Sequence, residues 1–587
     1  MVGFLAPINA LINGSSRTRW RGVGLSGAIA LGGLWLYPLP SQAQGLPRLA
    51  VPPPPAIPTT PPSPLSPGIE PHLTLPTTPT LPEFLPADSP TTFTVNGFRI
   101  EGNTVFSEAE LTNLLTRYVD RPLTFAQLLE TRSLITQKYV EAGYVTSGAF
   151  IPPQTLSDGV VLIRVVEGQL QTVNVQVTGK LNPHYVRDRL MAAGQGVLNV
   201  PQLLETLQLL QLSPLVEQIS AELTASPDVG QSILNVSVVT ARSFYPKALL
   251  DNGRNPLVGS FRRGAELEER NLTGNGDPLV VLYRNTDGSN EIDARYRLPL
   301  TPSNTTLSLG YRNLTGKVIE PPFNELDLRS YYEKYEVSLR QPLWQTPYQE
   351  LALSLGFDQQ NSLTTLLGEN FPTRGADLDG QMRLASLRFV QEGFTRNDTL
   401  VLAGRSEFAL GINAFGTTTP YDAAYNPQAP NPNYLLWRGQ GQWVQFLAPD
   451  MLLVGQLQGQ WANSPLPSLE QFTLGGLGSV VGYRQNTLLT DNGLFAALEL
   501  RLPLYRQPEE KAVLQLVPFV NFGTGWNTDT PKPEVNTLAS VGLGLLWQYS
   551  DRLSARIDWG KRLGKVPYLE GSSWQDDGII FSITLSP

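Results

Sequence analysis

The sequence predicts a mainly β protein: a sixteen-stranded antiparallel transmembrane β-barrel preceded by two small α+β domains. Three observations carry that reading. From about residue 245 onward, segments of about ten residues alternate apolar and polar side chains with a period of two, the pattern of an outer-membrane barrel. These segments are even in number, and their connections are tight on one side and mostly long on the other. Ahead of them, a strand–helix–helix–strand–strand order occurs twice, with Gly102 and Gly179 in the same place 77 residues apart.

Bulk composition narrows the function classes. The chain has 587 residues, 41% hydrophobic and only 16% charged, which is light on charge for a soluble protein. A net charge of −8 gives no basic field for nucleic acid. With no cysteine there is no disulfide framework and no zinc–thiolate site. His72 and His184 are far apart and in unlike contexts. No metal or other cofactor is therefore expected. No nucleophile–base–orienter set can be assembled, so an enzyme is the least favoured class. His184, near a predicted helix start, reads as a surface residue.

The elements follow in chain order. Arg17, Arg19 and Arg21 precede an apolar run at 23–36, then Ser41-Gln42-Ala43. That order marks residues 1–43 as a secretory signal peptide, and the run is short for a membrane helix. Residues 44–92 are a proline-rich linker, VPPPPAIPTTPPSPLSP and beyond, a composition that disfavours helices and sheet ladders. Residues 93–168 form the first α+β domain. FTVNGFRIEG is its first strand, Ser107 with Glu110 and Thr124 with Gln127 are capping boxes, and GVVLIRVVEG is a closing strand. The longer helix runs through Leu128, Ile135 and Tyr139, and Gly143 suits its end. Residues 169–242 form the second domain. TVNVQVTG opens it, and Asn182-Pro183 starts a helix. A further helix carries Leu203, Leu204, Leu207 and Leu210 before two closing strands.

Residues 243–587 are the barrel. Strands are expected to start near 247, 261, 277, 290, 304, 332, 349, 384, 398, 434, 451, 493, 513, 538, 552 and 578. In 494–502, Leu494, Ala496, Leu498, Leu500 and Leu502 share one face, opposite Phe495, Ala497, Glu499 and Arg501. Tight turns are expected after the second, fourth, sixth, tenth and fourteenth strands. Mostly long loops are expected after the third, fifth, seventh, ninth, eleventh, thirteenth and fifteenth. Sixteen strands enclose a lumen too wide for side chains to fill. Its Gln, Arg, Glu, Asp, Ser and Gly face makes that lumen wet. The two small domains come first and lie on the short-turn side, in the periplasm.

GGLGSVVGYRQN, residues 475–486, lies in the connection between the eleventh and twelfth strands. A phosphate cradle needs strand, loop and helix N-terminus, and the GK[ST] element is missing. A flexible surface loop is the plain reading. From about 93 to 587 the chain resembles the TpsB transporters of two-partner secretion. These are the hemolysin-activator type, within the larger superfamily of POTRA-plus-barrel outer-membrane proteins. The resemblance implies that this loop folds back into the lumen with a Val-Arg-Gly-Tyr/Phe motif. Its matching residues are Val480, Val481, Gly482 and Tyr483, preceded by Gly475-Gly476 and Ser479. It also implies a Phe-x-Asp-x-Gly motif in the thirteenth strand, whose aspartate receives the loop arginine. Phe519, Asn521 and Gly523 match it. Valine thus stands at the arginine position and asparagine at the aspartate position.

Losing one partner of an ion pair leaves an uncompensated charge, whereas losing both can be close to neutral. The double change reads as loss of the pair as a unit. The loop is then expected to enter the lumen held by Tyr483 and glycine packing, less firmly latched. Arg484 is expected to reach a different inner-wall carboxylate. Residues 44–92 are too rich in proline for the pore-plugging helix that many family members carry. The chain also ends Leu585-Ser586-Pro587, without the terminal aromatic residue usual in such barrels. The resemblance implies export of a secreted polypeptide partner, unfolded in the periplasm and captured by the POTRA-like domains through strand addition. The carrier would be a monomeric barrel in outer-membrane lipid. An insertase for other barrel proteins and a passive porin are the alternatives. Insertases usually have more POTRA domains, and porins lack them.

Overall fold

The computed structural model describes residues 72–74, 92–156, 158–426, 429–529, 532–564, 566 and 573–587. The expected signal peptide and most of the expected linker lie outside the described residues.

The first α+β unit begins with two strands where one was expected. The chain breaks at Asn96: Thr92–Val95 pairs antiparallel with Arg121–Thr124, and Gly97–Glu101 pairs parallel with Val160–Val166. Ser107 caps the helix Glu108–Asn113 and Thr124 caps Phe125–Glu141, each with both arms of the capping box. Alternation in Val160–Val166 buries Val161, Ile163 and Val165 with Leu128, Ile135 and Tyr139 of the long helix.

The second unit places helices Pro183–Ala193 and Val200–Gln211 on a sheet. That sheet contains Gln169–Thr178, Val216–Ala225 and Gln231–Thr240. Asn182 accepts from the His184 N–H at 3.0 Å, and Pro183 follows it at the first helical position. One strand was not expected. His72–Thr74, within the linker, adds in parallel to the edge strand Val216–Ala225, with Leu73 packed on the unit's core. The linker's prolines do not prevent this, because these three residues contain none and an edge strand needs partners on one side only. The two units abut tightly. Val200 N donates to Gly143 O at 3.0 Å, and a Cβ on Gly143 would stand 2.8 Å from Pro201.

Sixteen antiparallel strands then close into a barrel, from Phe244–Asp251 to Ile579–Leu585. A two-residue extension, Glu369–Asn370, pairs with the end of Gln349–Leu366. Each strand starts within three residues of its expected position. Closure rests on four residue pairs, Ala248–Asp251 against Leu585–Ser582. Lipid and lumen faces alternate as the sequence required. Leu494 and Leu498 point outward while Phe495 is buried, and Val520, Phe522 and Trp526 point outward around buried Phe519 and Asn521.

Two connections differ from expectation. The third is a tight turn, 286–288, packed between the first loop and the end of the fifth strand through Gly288 N to Val258 O (3.1 Å) and Lys317 N to Gly288 O (2.7 Å). The second, 270–278, is a structured loop rather than a tight turn. Asp277 accepts from Thr273 N, Asn275 N and the Tyr296 hydroxyl, and Gly274 O accepts from Asn182 N at 2.8 Å. Its length serves docking of the second α+β unit on the barrel. Arg189 completes that contact by donating to Asn304 Oδ1 at 3.2 and 2.8 Å.

Candidate functional site: a loop across the lumen

The connection 463–491 leaves the eleventh strand, Met451–Ala462, and rejoins the wall at the twelfth, Asn492–Gln507. Its neck is tied by Asp491, which is 2% exposed. The Asp491 carboxylate accepts from Leu466 N, Gln471 Nε2 and Thr528 N, each at 3.0 Å. A small hairpin, Phe472–Leu474 with Leu488–Thr490, carries the tip inward. Phe472, Leu474, Val480, Tyr483 and Leu488 bury against Phe495 and Leu538 of the wall.

The tip residues meet the thirteenth strand at Phe519, Asn521 and Gly523. Val480, Val481 and Tyr483 are buried. The Tyr483 hydroxyl donates to Ala539 O at 3.0 Å. Gly482 has φ 101°, and a Cβ there would stand 2.7 Å from Gly560 O, so only glycine lets the tip approach this closely. Val481 packs on Phe519 and Ile580. Asn521 faces it: the amide oxygen accepts from Val481 N at 3.2 Å, and the amide nitrogen donates to Val520 O at 3.1 Å. A Cβ on Gly523 would stand 2.9 Å from Leu474 Cδ1 and 3.1 Å from Val480 Cγ2. Positions 481 and 521 therefore touch, through a neutral hydrogen bond and apolar contact.

Arg484 does not reach the inner wall. It donates to both oxygens of Glu320 at 3.0 Å and to Asp576 at 2.5 and 2.7 Å, carboxylates of the fifth and fifteenth connections. The hydrogen bond to Asp576, then the pairing with Glu320, holds this guanidinium's pKa above its ordinary value. The chain reverses at Gly482, so Tyr483 meets the wall and Arg484 meets the extracellular loops. Gln485 adds two contacts at the closure of the barrel. Its N–H donates to Gln575 Oε1 at 2.8 Å and its carbonyl accepts from Asn255 Nδ2 at 2.9 Å. Gln575 in turn donates to the Asn252 carbonyl and to Arg254 O at 2.7 Å.

Sequence reasoning missed the other end of the loop. Glu470 lies in the turn Ser468–Glu470, is 1% exposed, and meets Arg388 and Arg438 of the wall. Both arginines point inward from their strands, but nothing in PSLEQ marks Glu470 as the residue that meets them. Beside this contact is a cavity of about 330 Å³, lined among others by Arg312, Lys334, Arg340, Gln440 and Gln458. The arrangement is a polar barrel lumen crossed by a loop that is attached to separate stretches of the wall.

Comparison with known proteins gives consistent matches. Residues 93–168 match the model for the POTRA domain, ShlB-type. Residues 230–546 match that for haemolysin secretion/activation protein ShlB/FhaC/HecB. The heme/hemopexin transporter protein HuxB of Haemophilus influenzae (strain 86-028NP) is 23% identical over 470 residues, covering 76% of this chain and 79% of that protein. The outer membrane transporter CdiB of Dickeya dadantii (strain 3937) is 21% identical over 458 residues, covering 76% and 78%. In fold, the chain is similar to CdiB from Escherichia coli with a TM-score of 0.67 at 20% identity, covering 86% of this chain and 93% of that one.

Proposed function

The chain belongs to the haemolysin secretion/activation family ShlB/FhaC/HecB, and from that premise we propose that it exports a secreted partner polypeptide through its barrel. It is an outer-membrane transporter with its POTRA region in the periplasm. The observation that carries the reading is a polar lumen, too wide for side chains to fill, crossed by a loop attached to its wall. Residues 93–168 and 169–242 act as two POTRA-like domains. Their sheet edges, such as Gly148–Phe150 with its exposed Phe150, suit capture of an extended chain by strand addition. Backbone pairing of that kind asks little of the partner's sequence. The wet lumen keeps the unfolded chain solvated, no side chain acts catalytically, and the barrel works as a monomer surrounded by lipid.

The short four-pair closure between first and last strands favours a second reading, insertion of other barrel proteins through an opened seam. Comparing the secreted and outer-membrane proteins of cells with and without the gene separates these. Export predicts loss of one large protein from the medium. General depletion of outer-membrane barrels would instead establish the insertase, and no change in either would leave a passive porin.

A further inference from the structure

We propose that Glu470 is the latch that holds loop 463–491 inside the lumen, an ionic clasp with its charges reversed relative to the arginine–aspartate pair that positions 481 and 521 lack. The proposal rests on the reading of the lumen as the export route that this loop crosses. Its readouts are loop exposure and conductance rather than export, so it stands or fails separately.

The Glu470 carboxylate accepts from Arg388 Nη2 at 2.6 Å, Gln360 Nε2 at 2.6 Å and Arg438 Nη2 at 2.8 Å. Its backbone carbonyl accepts from Gln460 Nε2 and Arg438 Nη2, both at 2.9 Å. Four strands thus converge on one loop residue that is 1% exposed. A carboxylate buried this far is tolerated only when paired and hydrogen-bonded, and charge-assisted bonds are the stronger kind. At the tip, by contrast, Val481, Asn521 and Tyr483 make only neutral contacts. Arg484 is charged, but its partners are the outer loops.

The wall is built so that this clasp can open. Arg388 also pairs with Asp358 and, at 2.8 Å, with Glu407. Arg438 keeps Gln460 Oε1 at 2.8 Å and Glu407 at 3.7 Å. Arg405 adds a further contact to Glu407 at 3.1 Å. Withdrawing Glu470 into water therefore strands no guanidinium, which removes the largest cost of breaking a buried ion pair. The loop is held by charge yet can leave without leaving an isolated charge behind.

The chain contains no cysteine, so Val480→Cys places a single thiol at a position that is 0% exposed. The full-length protein carrying it is reconstituted in liposomes and planar bilayers and challenged with a membrane-impermeant maleimide. Adding Glu470→Gln is expected to raise the labelling rate about tenfold or more, with a matching rise in the open-channel fraction. Adding Val481→Arg with Asn521→Asp on top returns both toward the parent. Should Glu470→Gln fail to fold, as judged by lost heat-modifiable migration, Arg438→Gln replaces it with the same expected rise. Labelling within about twofold of the parent overturns the assignment. So does a rise that the restored pair does not reverse, since that is loosening unrelated to latching.

Discussion

At positions 481 and 521, where the resemblance implies an arginine–aspartate pair, the two residues share a neutral hydrogen bond. Val481→Arg alone would bury a guanidinium beside Phe519 and Ile580 without a carboxylate, a loss of about 3–5 kcal/mol in loop docking. Asn521→Asp alone would leave the converse charge. Together they should restore docking and lengthen closed times in conductance recordings, and unchanged gating in all three variants would contradict this. Gly482→Ala combines a strained backbone with a Cβ 2.7 Å from Gly560 O. It should weaken tip docking by about 1–3 kcal/mol, seen as faster proteolysis at 475–486. Glu167 makes a pH-sensitive contact in the first α+β unit. Burial pushes its carboxyl up, but hydrogen bonds from Thr104, Val105 N and Tyr139 more than offset this and hold it below its ordinary 4.5. A lowered folded pKa means the stabilisation is complete above the ordinary carboxylate range and is lost as pH falls through the folded value. Helix Phe125–Glu141 should exchange amide protons more slowly in wild type than in Glu167→Gln at neutral pH, with the difference vanishing in acid below that range.

Among the elements, the barrel strands were the most legible in the sequence. Lipid outside and water inside force a period of two on every strand, so faces such as Leu494/Leu498 against Phe495 could be assigned from the alternation alone. The α+β units were legible through their caps at Ser107, Thr124 and Asn182. The connections were not, because their lengths answer to distant partners. Loop 270–278 is long because Gly274 and Gly276 meet the second unit at Lys180 and Tyr185, and turn 286–288 is short because the first loop and the end of the fifth strand cover it. Strand His72–Thr74 was hidden by the prolines around it. Glycine and tyrosine motifs marked the loop tip, whereas Glu470 finds its partners only through tertiary packing across the lumen. The docking of the second unit on the barrel depends on Arg189, which stacks 3.6 Å from the Tyr185 ring and donates to Asn304. Arg189→Ala should weaken this junction by about 1–2 kcal/mol and speed amide exchange in loop 270–278 while leaving the barrel strands unchanged.

The whole molecule joins a periplasmic pair of small α+β units, a docked junction and a wide polar barrel crossed by its own loop. Passage of a polypeptide through that lumen is the central claim, and the two faces of the eleventh strand test it. Gln458 lines the internal cavity, while its neighbour Leu457 is 53% exposed on the lipid face. A photo-reactive side chain placed at each position, with the partner polypeptide stalled by a fused folded domain, reports which face the moving chain meets. Export through the lumen predicts adducts with the partner from position 458 and none from 457. Continued export with no adduct at 458, or adducts from 457 alone, would contradict it.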